Sequence, residues 1–163
     1  MRTALSRWVI NLWPPLFGSG IRITRLSRDF HEAEIVLRQT WLNANGHGTH
    51  FGGSLFAMTD MGYALLLGRV LGSEYAVWDK SGEIDFIAPG RGTVKALFRL
   101  SAEKVAEIRE ATRDGAKYLP VFDVDVVDQA GELVARARRT LYVRRRRQQV
   151  GSLDKARIRP ISG

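Results

Sequence analysis

Hydrophobic and polar positions along this chain follow two periods. Ile21 to Leu26 alternates apolar and polar, with β-branched residues at Ile21, Ile23 and Thr24, and predicts a half-buried strand. Phe30 to Thr40 sets Ala33, Ile35 and Leu37 against Glu32, Glu34, Val36 and Arg38, a second strand antiparallel to the first. The pattern then changes. From Ser54 to about Leu71 the apolar residues cover most of a helix circumference, and Asp60 is the one charged group between Ser54 and Leu67. Such a helix is expected to be buried on nearly all sides. An unpaired carboxylate there would be expensive.

Alternation returns from Glu74 to Ala88, with an irregularity at Ser81-Gly82, and Pro89-Gly90-Arg91-Gly92 reads as a hairpin turn. Thr93 to Leu100 is the next strand. Ser101 caps a short helix over Ala102 to Thr112, with Glu103 favourable in its first turn. Tyr118 to Val127 and Glu132 to Arg144 complete the strands. At the start, residues 3–13 read as a short amphipathic helix packed on the domain or a partner, and Leu16 to Gly20 as a turn. A signal peptide is disfavoured by Asn11, by Pro14-Pro15 and by the lack of a small-x-small site. The reading divides the chain into an N-terminal helix (1–15), one α+β domain (16–147) and a patternless tail (148–163). An antiparallel sheet wrapped around one central helix covers that helix on one side only, so a homo-oligomer, dimer or tetramer, is expected.

Composition narrows the chemistry. The chain has 163 residues and no cysteine, which excludes a disulfide framework, a thiolate metal site and a cysteine nucleophile. The simplest compartment is the cytoplasm. The formal charge of +8 is concentrated at Arg136, Arg138, Arg139 and Arg144 to Arg147. Such a run suits phosphates, nucleic acid or an anionic membrane, but a solvated basic end is the simpler reading. His47 and His50 lack a third ligand, so neither a metal nor a cofactor is expected.

Asn45, Gly48-Thr49, Gly52-Gly53 and Asp60 form the pattern Asn-x-x-Gly-Thr-x-x-Gly-Gly with an acid eight residues beyond the first paired glycine. This resembles the hotdog-fold acyl-CoA thioesterases, most closely the phenylacetate-type branch. Phe51-Gly52-Gly53-Ser54 and Val77 to Gly90 resemble a less characterised branch labelled a domain of unknown function. The resemblance covers roughly residues 16–144. It implies a hotdog fold, a thioester substrate such as an acyl-CoA, and an active site shared between subunits. One position departs from it: thioesterases of this branch commonly carry His before the glycine pair, and this chain has Phe51, with His50 one place earlier.

The residues themselves support the same chemistry. A helix N-terminus offers free N–H groups and partial positive charge, so the Gly52 N–H is a candidate donor to a thioester oxygen. Asp60 is the candidate base or nucleophile, and Asn45 a candidate to orient water or the carbonyl. Gly53, Phe51, His50, Lys80 and Arg91 complete the expected substrate-binding set. Eight helical residues separate Gly52 from Asp60 by about 12 Å, too far for both to grip one thioester. Two antiparallel copies of the helix would bring Gly52 of one chain beside Asp60 of the other. The rival readings are a hotdog protein that binds acyl groups without cleaving them and, less favoured, nucleic-acid or membrane binding through the arginine-rich end. A hotdog dehydratase would need a histidine paired with the acid, and neither His47 nor His50 has that spacing.

Overall fold

A computed structural model describes residues 8–146. The elements in order are α1 (Pro14–Ser19), β1 (Ile21–Leu26), β2 (Glu32–Arg38), α2 (Gly52–Met58), α3 (Met61–Leu71), β3 (Tyr75–Phe86), β4 (Thr93–Arg99), α4 (Ala102–Ala111), β5 (Lys117–Tyr118), β6 (Val121–Val127) and β7 (Leu133–Arg145). The strands form one antiparallel sheet ordered β1-β2-β4-β6-β7-β3, with β5 pairing β7. Period-two alternation decides its inner face. Ile21 and Ile23, Ala33, Ile35 and Leu37, Val94, Ala96 and Phe98, and Ala135, Ala137, Leu141 and Val143 are all buried. They close over Leu55, Met58, Tyr63, Leu66 and Leu67 of α2 and α3.

The central helix differs from expectation in two ways. First, it is interrupted. Thr59 and Asp60 form a turn, with the Thr59 N–H on the Phe56 carbonyl at 3.1 Å and the Asp60 N–H on the Ala57 carbonyl at 3.2 Å, bonds of the tighter i to i−3 type. The buried Thr59 hydroxyl also donates to the Phe56 carbonyl at 2.8 Å, which holds the turn. Second, only one face is fully buried. Ser54, Leu55, Met58, Gly62, Tyr63, Leu66 and Leu67 lie against the sheet, while Phe56, Met61, Ala64 and Leu65 on the opposite face are half-buried and Asp60 is exposed. The segment Gly52–Leu71 is apolar and long enough to cross a membrane, yet half of it is packed inside the domain.

Packing at Gly62 is tight. A Cβ there would stand 2.3 Å from the Phe98 ring, so this ring lies directly on the helix backbone. Tyr63 stacks on Phe122 at 4.3 Å between centroids, meets Phe98 edge-on, and donates its hydroxyl to the Asp123 carbonyl at 3.1 Å.

Two further expectations are corrected. Residues 14–19 form a helix where a turn was expected. Pro14-Pro15 opens it at the N1/N2 positions, and Gly20 closes it at φ 75. Residues 87–92 do not make a hairpin, because β3 pairs with β7 and β4 with β2. The segment instead crosses between distant strands and runs past the start of α2. The irregularity expected in β3 is a bulge between Asp79 and Ser81. Helix α4 starts as expected, with the Ser101 hydroxyl accepting from the Lys104 N–H at 3.1 Å.

Of the N-terminal helix expected over residues 3–13, residues 8–11 are helical and residues 1–7 lie outside the described residues. Asn11 explains its own place in an apolar run. Its amide accepts from the Ile23 N–H at 2.8 Å and donates to the Ile23 carbonyl at 3.0 Å, so it satisfies the free edge of β1. The tail expected over 148–163 also lies outside the described residues.

Candidate active site

The loop between β2 and α2 is held by its own amides. Asn45 accepts from the N–H groups of His47 (2.9 Å) and Thr49 (3.2 Å). It donates to the Thr49 hydroxyl (2.8 Å) and the His50 carbonyl (3.2 Å). All four hydrogen-bonding positions of the side chain are therefore engaged within the loop. The Arg91 guanidinium is similarly occupied, donating to the Gly48 carbonyl at 2.6 Å. Buried Asn43 ties the loop to the body through the Ser19 and Arg38 carbonyls at 2.9 and 2.8 Å.

The loop leads into α2 at Phe51, which caps the helix with an extended backbone and no side-chain bond. The first N–H groups of a helix have no partner within it, which leaves those at Gly52 and Gly53 free to serve a ligand. Both glycines lie under aromatic rings. A Cβ on Gly52 would stand 3.0 Å from Phe86, and one on Gly53 2.3 Å from Phe51. Phe51 thus covers Gly53. A cleft of about 480 Å³ opens here, lined by Asn45, His50, Gly52 and Arg91 on one side and by Leu55 and residues 86–90 on the other. His50 is buried, and neither ring nitrogen has a hydrogen-bond partner. Burial pushes its pKa below the ordinary 6.5. The Gly92 carbonyl offsets part of this without reaching hydrogen-bond geometry.

Asp60 is not part of this cleft. Its side chain is 62% exposed and ion-paired with Arg139 Nη2. Arg139 is 3% exposed, donates from Nε to Asp79 at 3.0 Å, and lies over the Phe56 ring at 5.0 Å. Its Nη1 is buried without a partner, against Gly82, where a Cβ would stand 2.5 Å away. One buried cation thus joins the helix turn to β3. Burial pushes the Asp79 carboxyl above its ordinary value, and the Arg139 charge works in the opposite direction.

Of the residues singled out in the sequence, the fold brings Asn45, His50, Gly52 and Arg91 to one cleft and sets Asp60 apart from it. Phe51 and Gly53 flank Gly52 in the chain but are not among the residues that line the cleft. Lys80 is the exposed bulge residue of β3.

Arg139 was missed as a site residue because it read as one more cation of a basic run. The signal was present, since Ala135, Ala137, Arg139, Leu141 and Val143 form the inward row of β7. The neighbouring arginines are largely partnered. Arg136 pairs with Asp125 at 2.6 Å, Arg138 with Asp123 at 2.9 Å, and Arg144 donates to the Gly115 carbonyl. Among the described residues no cluster of three His, Cys, Asp or Glu side chains could hold a metal.

An antiparallel sheet wrapped over one central helix is the hotdog fold. This chain belongs to the domain of unknown function family DUF4442, whose profile matches residues 1–143. The fold is similar to that of PA5026 from Pseudomonas aeruginosa, described as a probable thioesterase. That likeness has a TM-score of 0.79 at 20% identity, covering 89% of this chain and 97% of that one. It is also similar to the thioesterase HI1161 from Haemophilus influenzae, with TM-score 0.65 at 16% identity over 88% and 91% of the two chains. E. coli PaaI, from the phenylacetic acid degradation operon, gives 0.58 at 20% identity over 88% and 94%. Comparison with curated protein sequences gives no match.

Proposed function

We propose that this chain is a thioesterase that hydrolyses an acyl-CoA or related thioester at a site shared by two subunits. The observation that carries the reading is the separation of two complementary half-sites on one helix. The start of α2 at Gly52 lines a cleft, and Asp60 stands outside it, 62% exposed, at the turn of the helix where Arg139 holds it. In an antiparallel pair of subunits, each Asp60 faces the partner's Gly52. Strand β3 suits that pairing, because it ends the sheet and is 12 residues long. Such an edge offers a row of backbone groups to a second copy.

In the proposed reaction the Gly52 N–H holds the thioester oxygen as negative charge develops there. Asp60 takes the proton of an attacking water, or attacks the carbonyl itself. The acyl–sulfur bond breaks and the thiolate leaves to take up a proton; the water oxygen joins the acyl carbon, either directly or by hydrolysing the acyl–Asp60 anhydride, which frees the carboxylic acid and restores Asp60. Arg139 acts as a positioning residue, holding Asp60 at the turn from a rigid, buried place. Asn45 supports the loop that presents Gly52 and does not itself touch the substrate. The oligomer order, dimer or tetramer, is part of this proposal.

A second reading has its own support. Phe51 stands before the glycine pair, and Asn45 is fully engaged in its loop. Both suit a protein that binds an acyl thioester without cleaving it. Release of free thiol from acyl-CoAs of graded chain length, measured for the wild type and Asp60→Asn, separates the two. Hydrolysis that depends on Asp60 supports the enzyme, and equal rates reject it.

A further inference from the structure

We propose that the outer face of β1 and β2, with the N-terminal segment beside it, docks on an anionic lipid bilayer surface. This inference does not rest on the thioesterase reading. A cleft of about 530 Å³ opens there, at the far end of the sheet from β3, and its walls include Phe17, Arg22, Arg38 and Leu42. Two features of this face call for an external partner.

The first is its exposed apolar surface. Phe17 (60% exposed) and Leu42 (66%) line the cleft, Trp41 next to Leu42 is 87% exposed, and in the N-terminal segment Trp8 is 65% exposed, Leu12 67% and Trp13 55%. Three of the chain's four tryptophans fall in this set. Packing within the chain leaves these side chains uncovered, while the N-terminal segment itself is fixed by Asn11, through the backbone of Ile23, and by Ile10, packed against the core. Tryptophan favours a boundary where one side is apolar and the other wet, as at lipid headgroups.

The second feature is charge. Arg22 and Arg38 both line the cleft, no carboxylate does, and neither arginine has an ion-pair partner among the described residues. The acids on the outer row of β2 are both engaged, Glu34 accepting from the Thr24 hydroxyl at 2.6 Å and Glu32 pairing with Arg25 and Arg99. Aromatic side chains with unpaired arginines among them match an anionic interface. A second copy of the chain fits poorly, because a twofold contact on this face would bring Arg22 and Arg38 against like charges. The short helical stretches at residues 8–11 and in α1 are far below spanning length, so the face lies on the bilayer and does not cross it.

The test is cosedimentation of the full chain with vesicles of phosphatidylcholine alone and of phosphatidylcholine mixed with phosphatidylglycerol, read together with tryptophan emission. The chain is expected to pellet with the mixed vesicles, to shift its emission to the blue, and to release as salt rises. Arg22→Gln weakens binding about fivefold, and the pair Arg22→Gln/Arg38→Gln about thirtyfold. Trp41→Ser/Leu42→Ser weakens it as well and reduces the blue shift. The arginine-rich C-terminal end would attract the same vesicles but would not respond to these substitutions. Binding that is absent, or unchanged in both double variants, overturns the proposal. So does a drop to a smaller assembly when Trp41→Ser/Leu42→Ser is examined by sedimentation velocity, which would assign the face to a second copy.

Discussion

Arg139 of β7 reaches Asp60 at the mid-turn of the central helix, 79 residues away in sequence, from a place where 3% of its side chain meets solvent. The same guanidinium donates to Asp79 at 3.0 Å. Removing the buried cation leaves Asp79, whose side chain is 20% exposed, without its counter-charge, so Arg139→Met is expected to lower stability by about 3 kcal/mol. Asp60→Asn should change it by less than about 1 kcal/mol, because Asp60 is largely exposed. Urea unfolding of the two variants checks the contrast.

Asp79 gives the same network a titration signature. Its carboxyl titrates above the ordinary 3.8 because burial outweighs the nearby cation. A raised folded-state value means that the folded chain holds its proton longer than the unfolded chain. Stability contributed by this group therefore falls as pH rises from 3.8 through the raised value, and is level above it. Arg139→Met removes the influence that lowers the value, so Asp79 should titrate higher still. Carboxyl carbon NMR of the variant reads this directly, and an unmoved or lowered titration would contradict it.

His50 works in the other direction. Its folded-state value lies below 6.5, so in the window below 6.5 the unfolded chain takes up a proton that the folded chain refuses. Stability should fall as pH drops through that window and should level off below the folded-state value. His50→Leu should flatten this slope in urea midpoints measured against pH.

Much of this fold was legible from hydrophobic periodicity alone. The two first strands, the Ser101-capped helix and the last strand fall where alternation and caps place them, the Asp60 helix lies where expected but is interrupted, and the strand expected over Tyr118 to Val127 is broken at Leu119-Pro120. What escaped depends on contacts that local pattern does not carry. Pro14-Pro15 looks like a terminator and is a helix start. Pro89 to Gly92 looks like a hairpin until the pairing of β3 with β7 is known. The proposed half-sites at Gly52 and Asp60 were read from glycine pairing and from one acid in an apolar helix. Their support was not, since Arg139 stood in a run of arginines and only its parity along β7 separates it from the others.

Gly62 tests the packing of the helix on the sheet. Gly62→Ala places a methyl group against the buried Phe98 ring and should cost about 1–3 kcal/mol. Phe98→Leu in the same chain should recover part of that loss. A Gly62→Ala variant as stable as the wild type would contradict the close approach.

Gly52 isolates the proposed oxyanion donor. Proline is accepted at the first position of a helix, and Phe51 before it already has the extended backbone that proline requires, at φ −65 and ψ 128. Gly52→Pro thus deletes one N–H and little else, apart from displacing the exposed Phe86 ring. The expected result is a fall in kcat of about a hundredfold or more with the melting temperature largely kept.

The claim that one active site draws on two chains is tested most directly by mixing subunits. Asp60→Ala and Gly52→Pro homo-oligomers are each expected to be inactive. Unfolding and refolding them together forms mixed pairs in which one site carries both defects and the other carries neither. Thioester hydrolysis should then return to about a quarter of the wild-type rate for a randomly paired dimer. A mixture as inactive as its parents, with hetero-oligomers shown to be present, would contradict the shared site.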